Sequence, residues 1–423
     1  MNHHLPTLCM TVLSFGIPLV APAAEIPAAA AQAVNALGLD LLAKGTETNA
    51  NALLSPYSIQ SALAMTYAGA AGDTRTQMAR VLHYPADEAA VHQSFSGLQK
   101  ALEEVAKTTA ERTKNAAQRG GPSEPILLTV ANRLFGQKGY EFRQAFLGLT
   151  KDSYGAPLQM MDFIGSADQE RIKINGWVEE QTHQRICDLI PANGLTEDTR
   201  LVLVNAIYMK APWAEEFPDG ATKPLPFQVK GTEAHNVPTM FRLGHLGYAK
   251  REGYQAITVP YVGGDMQLLV LRPDAKDGLA AVEAKLTPEI LGGFANAGSA
   301  ELKLYLPKFK IEPPLFKLGK VLRTLGMASA FNEPKGSANF DRMAPRKPDD
   351  YLYISEVFHK TFLALDEKGT EAAAATAVAM MRATAFIEKP EPIEVRVDRP
   401  FLFAIQHRPS GACLFLGRIT DPR

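Results

Sequence analysis

Histidine, cysteine and carboxylate residues are the side chains best suited to catalysis, and here they fall into no recognised catalytic spacing. The nucleophile-elbow pattern Gly-x-Ser-x-Gly, the phosphate-binding pattern Gly-x-x-x-x-Gly-Lys-Ser/Thr and the zinc pattern His-Glu-x-x-His are absent from the 423 residues. Cys-x-x-Cys pairs are also absent, and the seven of the 9 histidines that follow residue 24 are scattered singly. The sequence therefore gives no argument for an enzyme, and no metal or other cofactor is expected.

His359, which stands next to Lys360, is a candidate general base because histidine titrates near neutral pH. The sequence places neither a nucleophile nor an orienting acid beside it. We therefore interpret His359 as a buried histidine with hydrogen-bond partners. Asp350, Asp366 and Glu367 are candidate catalytic carboxylates only by residue type.

The composition is that of an ordinary globular protein, with 46% hydrophobic residues, 21% charged residues and a formal net charge of −1. Nucleic-acid-binding proteins usually carry a basic excess, so this charge gives no case for a nucleic-acid partner. Three cysteines, Cys9, Cys187 and Cys413, are too few for a disulfide framework. Whether Cys187 and Cys413 pair is left open by the sequence.

Residues 1–24 have the features of a secretory signal peptide. The apolar run Leu8 to Ala21 is followed by the small-x-small cleavage pattern Ala21-Pro22-Ala23. A glycine and a proline interrupt the run, which makes it a poor membrane span. We expect a secreted or periplasmic protein without a membrane partner. No Asn-x-Ser/Thr glycosylation site occurs, which favours bacterial export.

The periodicity of the remaining chain predicts mixed helices and strands without repeats or a long dividing linker, and hence one α+β domain. Residues 126–137 and 201–213 are predicted strands, and the second is apolar enough to be buried on both faces. Residues 169–186 are predicted to be helical. The polar segment Lys107 to Glu124 is predicted to be a solvated loop, with an anion-binding site as the alternative.

The stretch "DEKGTEAAAATAVAMM", Asp366 to Met381, does not fit its surroundings. Its composition is that of an alanine-rich helix, yet it lies between two segments that are predicted strands. It has no apolar stripe to bury and no ligand-type cluster. The run of small residues needs another explanation.

Together with other segments, this stretch resembles the serpin family, and the resemblance covers nearly the whole chain after residue 24. It is similar to the hinge of an inhibitory serpin's reactive loop. The other matches, in order, are the early helix at "NALLSPYSIQSAL", helix F at 175–182, the third strand of the central sheet at 204–213, strand six at 306–309, strand five at 358–369 and the C-terminal signature "VRVDRPFLFAI" at 395–405.

The resemblance implies a fold and a function. The fold is α+β, with about nine helices around three β-sheets, a large central sheet and an exposed reactive loop at about 367–394, in a single serpin domain of residues 25–423. The implied function is irreversible suicide-substrate inhibition of serine proteases. A protease cleaves the loop, remains esterified to it, and is trapped when the loop inserts into the central sheet. The implied partner is a target protease, bound covalently by a monomer.

An inserting strand alternates its faces, which explains the small residues of the hinge. Thr370, Ala372, Ala374 and Thr376 would enter the interior, whereas the opposite face can keep a charge in water. Gly369 permits the turn. The resemblance assigns the hinge to these residues: Glu367, Gly369, Thr370, Glu371, Ala372, Ala373, Ala374, Ala375 and Thr376.

The resemblance also implies roles for two further sets of residues, each matched residue by residue. The shutter, a polar cluster under the strands that part, matches Ser55, Ser58, Asn205 and His359. The breach, where insertion begins, matches Trp213, and Lys308 and Glu367 match an ion pair at the top of the sheet.

The family's usual hinge length places the reactive bond between Ala383 and Thr384, and a small residue before the bond suits elastase-like pockets. The alternative bond, Arg382–Ala383, suits trypsin-like proteases. Two other functions remain as alternatives, namely a non-inhibitory serpin that acts as a carrier or chaperone, and an inhibitor of a cysteine protease. The hinge favours inhibition because it lacks the bulky residues and prolines typical of non-inhibitory members.

Overall fold

The computed structural model describes residues 28–117, 124–230, 233–371 and 391–423. The predicted signal peptide, residues 1–24, lies outside these ranges. Within them, nine α-helices and three β-sheets confirm the predicted α+β fold. The helices are α1 (Ala28–Gly45), α2 (Pro56–Gly69), α3 (Gly72–Val81), α4 (Glu88–Ala117), α5 (Gln144–Tyr154), α6 (Phe163–Gln181), α7 (Leu279–Glu283), α8 (Pro288–Gly293) and α9 (Gly319–Leu325).

None of these helices is both long and apolar enough to cross a lipid bilayer. Three short 3₁₀ turns accompany them, at Asp219–Ala221, Phe294–Asn296 and Ser329–Phe331.

The six-stranded sheet is called the central sheet below because it contains the segments that match the family's central sheet. Its strand order is β10-β13-β14-β4-β2-β3. Only β2 and β3 run parallel, and the other neighbours are antiparallel. The strands are β2 (Leu127–Gln137), β3 (Gln159–Met161), β4 (Leu201–Pro212), β10 (Phe309–Ile311), β13 (Leu363–Asp366) and β14 (Gly369–Thr370).

The second sheet has nine strands in the order β1-β17-β16-β8-β7-β6-β9-β15, with β5 paired to β6. A two-stranded ribbon, β11 with β12, completes the set. The strands are β1 (Ala52–Leu54), β5 (Lys223–Lys230), β6 (Glu233–Arg251), β7 (Tyr254–Pro260), β8 (Met266–Pro273), β9 (Ser299–Pro307), β11 (Phe316–Lys317), β12 (Phe358–His359), β15 (Ile393–Arg396), β16 (Phe401–His407) and β17 (Ala412–Ile419).

The core lies where α1 and α2 cover β17. Every residue of α2, β16 and β17 is buried, which is why these strands read as continuous apolar runs. The helix α2 starts at Pro56, and the Ser55 hydroxyl caps it by accepting a hydrogen bond from the Ser58 N–H. Phe309 extends the core to the central sheet by packing against Phe401 and Phe403.

Two of the predicted local structures are wrong in part of their range. The segment predicted as a loop from Lys107 continues α4 to Ala117 because Thr109 and Thr113 are fully buried and extend the stripe begun by Leu102. Threonine is polar by residue type, so the sequence pattern does not show this buried stripe. The predicted helix 169–186 ends at Gln181, and a tight turn follows it.

Cys187 and Cys413 are both free thiols, so the pairing left open by the sequence does not occur in the structure. Cys413 is buried in β17, and burial raises its pKa to about 12.

Candidate functional site

The chain after β13 turns back and enters the central sheet as β14. Gly369 and Thr370 pair antiparallel with β13 on one side. On the other side they pair with Pro212 and Ala211 at the end of β4. The first residues of the predicted hinge are thus already strand residues between β13 and β4.

Gly369 is required here by a close backbone approach as well as by the turn. Its φ is 152°, and an added Cβ would lie 2.1 Å from the carbonyl oxygen of Ala211. The Asp366 carboxylate closes the turn, because its Oδ1 accepts hydrogen bonds from the backbone N–H groups of Lys368 (2.9 Å) and Gly369 (3.3 Å).

Thr370 lies on the interior side of the sheet and is 1% exposed. Its hydroxyl is 2.6 Å from the hydroxyl of Tyr261. The Tyr261 ring stacks on the Trp213 indole, with centroids 4.6 Å apart and an 8° angle between planes. The space below residue 370 therefore accommodates a small polar side chain, and the stacked rings of Tyr261 and Trp213 close it.

Glu371 is where the structure departs from the alternation argument. Its backbone N–H still pairs with the Ala364 carbonyl (3.0 Å), but its φ of 50° is left-handed. Its side chain is only 12% exposed and pairs with Arg185, so this charge is nearly buried before insertion, and its exposure in an inserted strand stays a prediction. Burial raises the pKa of the Glu371 carboxyl, and the hydrogen bond from Arg185 opposes that rise.

Trp213, predicted for the breach, is 1% exposed and holds the hinge turn. Its indole Nε1 donates to the Asp366 carbonyl (2.9 Å), and its backbone N–H donates to the Lys368 carbonyl (2.9 Å). The backbone N–H of Phe217 donates to the Glu367 carbonyl (2.8 Å). All three carbonyls of the turn thus have donors from one segment.

Lys308 and Glu367, predicted as an ion pair, lie together with Nζ 2.6 Å from Oε2. The Thr222 hydroxyl donates to Oε1 of the same carboxylate at 2.7 Å. Burial acts to raise the pKa of Glu367, but the hydrogen bonds from Lys308 and Thr222 outweigh it, and the pKa is lowered. The Glu367 side chain is 11% exposed, so this end of the pair is nearly buried.

The predicted shutter residues Ser55, Ser58 and His359 lie together under the central sheet. The Ser55 N–H donates to His359 Nε2 (3.1 Å), and the Ser55 hydroxyl donates to the Leu414 carbonyl (2.7 Å). Complete burial lowers the pKa of His359 to about 3, so the ring is neutral at physiological pH. The hydrogen bond to Ser55 fits its interpretation as a buried histidine.

Asn132, which the sequence did not single out, joins this cluster. The Ser58 hydroxyl donates to its Oδ1 at 3.3 Å. Asn132 lies directly opposite Asn205 in the pairing of β2 with β4. The side chain of Asn205 is outside the described part of the chain.

Several predicted site residues lie outside the described residues: the hinge positions Ala372, Ala373, Ala374, Ala375 and Thr376, and the candidate bait residues Arg382, Ala383 and Thr384. The residues that sequence reasoning missed, Arg185, Thr222 and Tyr261, come from segments remote in sequence from the hinge. Their contact with the hinge is visible only in the tertiary structure. In the described residues, no group of three or more His, Cys, Asp or Glu side chains is placed to hold a metal ion.

The model of the family described as "Serpin (serine protease inhibitor)" matches residues 32–422. The chain belongs to the serpin family. This serpin is 37% identical over 395 residues to the leukocyte elastase inhibitor of Bos taurus, covering 91% of this chain and 97% of the bovine protein.

Solved serpin structures show the same fold. Uncleaved ovalbumin gives a TM-score of 0.76 at 29% identity, covering 94% of this serpin and all of the ovalbumin chain. A structure of cleaved Serpin 42Da gives a TM-score of 0.76 at 28% identity, covering 95% of this serpin and all of that chain. The activity in the family's description is inhibition of proteases rather than catalysis.

Proposed function

We propose that this serpin is an irreversible suicide-substrate inhibitor of serine proteases and is not an enzyme. The observation that carries the proposal is β14. This strand is two residues long, and it pairs with only two of the twelve residues of β4. Among the described strands, β13 pairs only with β10 and β14. An entry point for a longer strand is therefore already formed between β13 and β4.

In the proposed mechanism the protease's catalytic serine attacks the carbonyl of Ala383, an ester forms, and the amine of Thr384 leaves. The freed loop segment then extends β14 between β13 and β4, carrying the protease with it, and the ester is no longer hydrolysed. About a dozen new strand residues, at roughly 1 kcal/mol per net hydrogen bond, give on the order of 10 kcal/mol. That is enough to make the rearrangement irreversible.

The small candidate bait residue Ala383 and the name of the bovine relative support an elastase-like target. The alternative bait, Arg382, supports a trypsin-like one. The test is incubation with pancreatic elastase and, separately, with trypsin, followed by denaturing gels. We expect a band heavier by about one protease mass. Cleavage without complex across a panel of serine proteases would contradict the proposal. A complex formed only with a cysteine protease would support the cysteine-protease alternative. A carrier or chaperone would form no covalent complex with any protease.

Mass spectrometry of the C-terminal peptide released on cleavage identifies the bait bond. A peptide that begins at Thr384 supports Ala383 as the esterified residue, whereas one that begins at Ala383 supports Arg382.

We also propose that residues 1–24 direct export and are removed, giving a monomer that is secreted or periplasmic in a bacterial source. The apolar run and the Ala21-Pro22-Ala23 pattern support this. The N-terminal mass of protein from the medium or the periplasm tests it, and we expect a chain that begins at or near Glu25. A chain that keeps its first 24 residues would contradict it. Light scattering of the purified chain tests the monomer.

A further inference from the structure

The turn that follows α6 brings one arginine to the hinge. This turn is held locally: the Thr182 hydroxyl accepts a hydrogen bond from the Ile186 N–H (3.1 Å), and the Arg185 N–H donates to the Thr182 carbonyl (3.0 Å). His183 and Gln184 have left-handed backbone φ values of 49° and 61°. The position of Arg185 is thus set by a compact turn that is distant in sequence from the hinge.

Arg185 contacts the entering strand β14 and its neighbour β13 at their adjoining ends. Its Nε donates to Oε1 of Glu371, the residue that follows β14. Its guanidinium carbon lies 5.3 Å from the ring centroid of Phe362, which directly precedes β13. Arg185 is 48% exposed, whereas the Glu371 side chain is 12% exposed, so the two ends of this pair differ in solvation.

Glu371 has other neighbours besides Arg185. Lys210 and His183 lie near enough to lower its carboxyl pKa weakly, whereas Arg185 opposes the effect of burial more strongly. Burial and the Glu371 carboxylate raise the pKa of Tyr208 to about 12. Arg185 is the only one of these groups that an ion pair joins to Glu371 in the described residues.

We propose that Arg185 is a positioning residue that keeps Gly369, Thr370 and Glu371 seated in the central sheet before a protease is bound. The proposal rests on the inhibitory function proposed above. Seating these residues places a nearly buried carboxylate beside β4. Arg185 offsets part of its desolvation. Insertion after cleavage then starts from a strand that is already in register, which favours trapping over release of the protease.

The different exposures of the two side chains predict an asymmetric response to mutation. Arg185→Ala leaves Glu371 without its ion-pair partner, so the hinge should leave the sheet more often. Glu371→Ala removes the charge that needs compensation and leaves Arg185 in contact with water, so the hinge should stay. The double variant Arg185→Ala with Glu371→Ala should behave like Glu371→Ala alone.

Hydrogen–deuterium exchange of the intact protein tests this without any protease. The backbone N–H of Glu371, bonded to the Ala364 carbonyl, should exchange about tenfold faster in Arg185→Ala than in the wild type, equivalent to about 1.4 kcal/mol. Arg185→Lys should recover most of the protection, and the double variant should recover it fully. Unchanged exchange in Arg185→Ala, or equally fast exchange in the double variant, would overturn the proposal.

The second measurement is the stoichiometry of inhibition, taken as the ratio of cleaved serpin to covalent complex on gels with pancreatic elastase. Arg185→Ala should raise this ratio several-fold, and the double variant should restore it. Arg200→Ala is the matched control because Arg200 pairs with Asp350 away from the hinge. An unchanged ratio in Arg185→Ala would contradict the proposed effect on trapping. If the wild type forms no complex with any protease, the proposed function fails, while the exchange experiment still tests whether Arg185 seats the hinge.

Discussion

At the residue scale, we expect the size of the side chain at position 370 to control the first step of the proposed insertion. Thr370 is fully buried and shares a hydrogen bond with Tyr261, which in turn stacks on Trp213. A longer side chain at this position meets the aromatic stack, and a charged one also loses its hydration.

Thr370→Arg should therefore convert the inhibitor into a substrate, because the guanidinium cannot enter beside Tyr261 and the hinge stays outside the sheet. On gels with the target protease we expect cleaved serpin in place of complex. Thr370→Ser is the matched control and should still trap, since it keeps the hydroxyl and adds no bulk. Undiminished complex formation by Thr370→Arg would show that the hinge argument is wrong.

His359 is the buried titratable residue of the shutter. Burial lowers its pKa from 6.5 to about 3 in the folded protein. Between these values the unfolded chain binds a proton that the folded protein does not. The stabilising effect of the neutral ring is therefore fully present above about pH 6.5 and is lost progressively as the pH falls below it.

Acidification should thus destabilise the wild type more than the variant His359→Asn, which cannot be protonated at this site. Thermal unfolding of both proteins between pH 7 and pH 4 provides the comparison. The difference between the two profiles should grow by up to about 1.4 kcal/mol per pH unit below pH 6.5. Parallel profiles over this range would mean that His359 is not the group responsible.

At the element scale, the turn between β13 and β14 is held from three directions. Asp366 closes the turn itself, Trp213 and Phe217 donate to its carbonyls, and Lys308 binds the Glu367 carboxylate from the segment that precedes β10. These contacts tie β13 to its neighbours at the end of the sheet where β14 enters. They should therefore slow any spontaneous opening.

Lys308→Met should shorten the lifetime of the active form. It leaves the nearly buried Glu367 carboxylate with the Thr222 hydroxyl as its remaining side-chain donor, at a cost of about 1–3 kcal/mol. The measurement is the half-life of inhibitory activity at elevated temperature.

Glu394→Gln is the control for this prediction because it breaks the exposed pair with Arg396, where both side chains are nearly half exposed. Its effect should stay below about 0.5 kcal/mol. Equal half-lives for Lys308→Met and Glu394→Gln would argue against a special role for the buried pair.

At the scale of the whole molecule, the proposed function requires that the native state lie above a more stable inserted state. The two-residue β14 beside the twelve-residue β4 is the structural sign of this difference. The barrier between the states then sets the lifetime of the inhibitor, rather than the equilibrium stability.

Cleavage of the loop should therefore raise the melting temperature by about 10 °C or more, because the released segment completes the central sheet. The comparison is thermal unfolding of the intact protein against protein cleaved near Ala383. Cleaved Thr370→Arg serves as the control and should not gain this stability. A wild type whose melting temperature is unchanged by cleavage would contradict insertion.

The sequence by itself determined the family and the α+β class, and it predicts the position of the hinge, because these depend on local patterns. Gly369 and Thr370 were assigned from such patterns, and the alanines after them indicated a strand that must enter a packed sheet. The Lys308–Glu367 pair followed from the resemblance in the same way.

The tertiary structure alone decided which distant side chains meet the hinge. Arg185, Thr222 and Tyr261 carry no local signal, since their importance comes from being folded against residues more than a hundred positions away. The tertiary structure also decided how far the Glu371 side chain is exposed to water. Alternation along a strand predicts which face a side chain takes. Whether that side chain is exposed to water depends on which other parts of the chain pack against it, and here Arg185 forms an ion pair with Glu371.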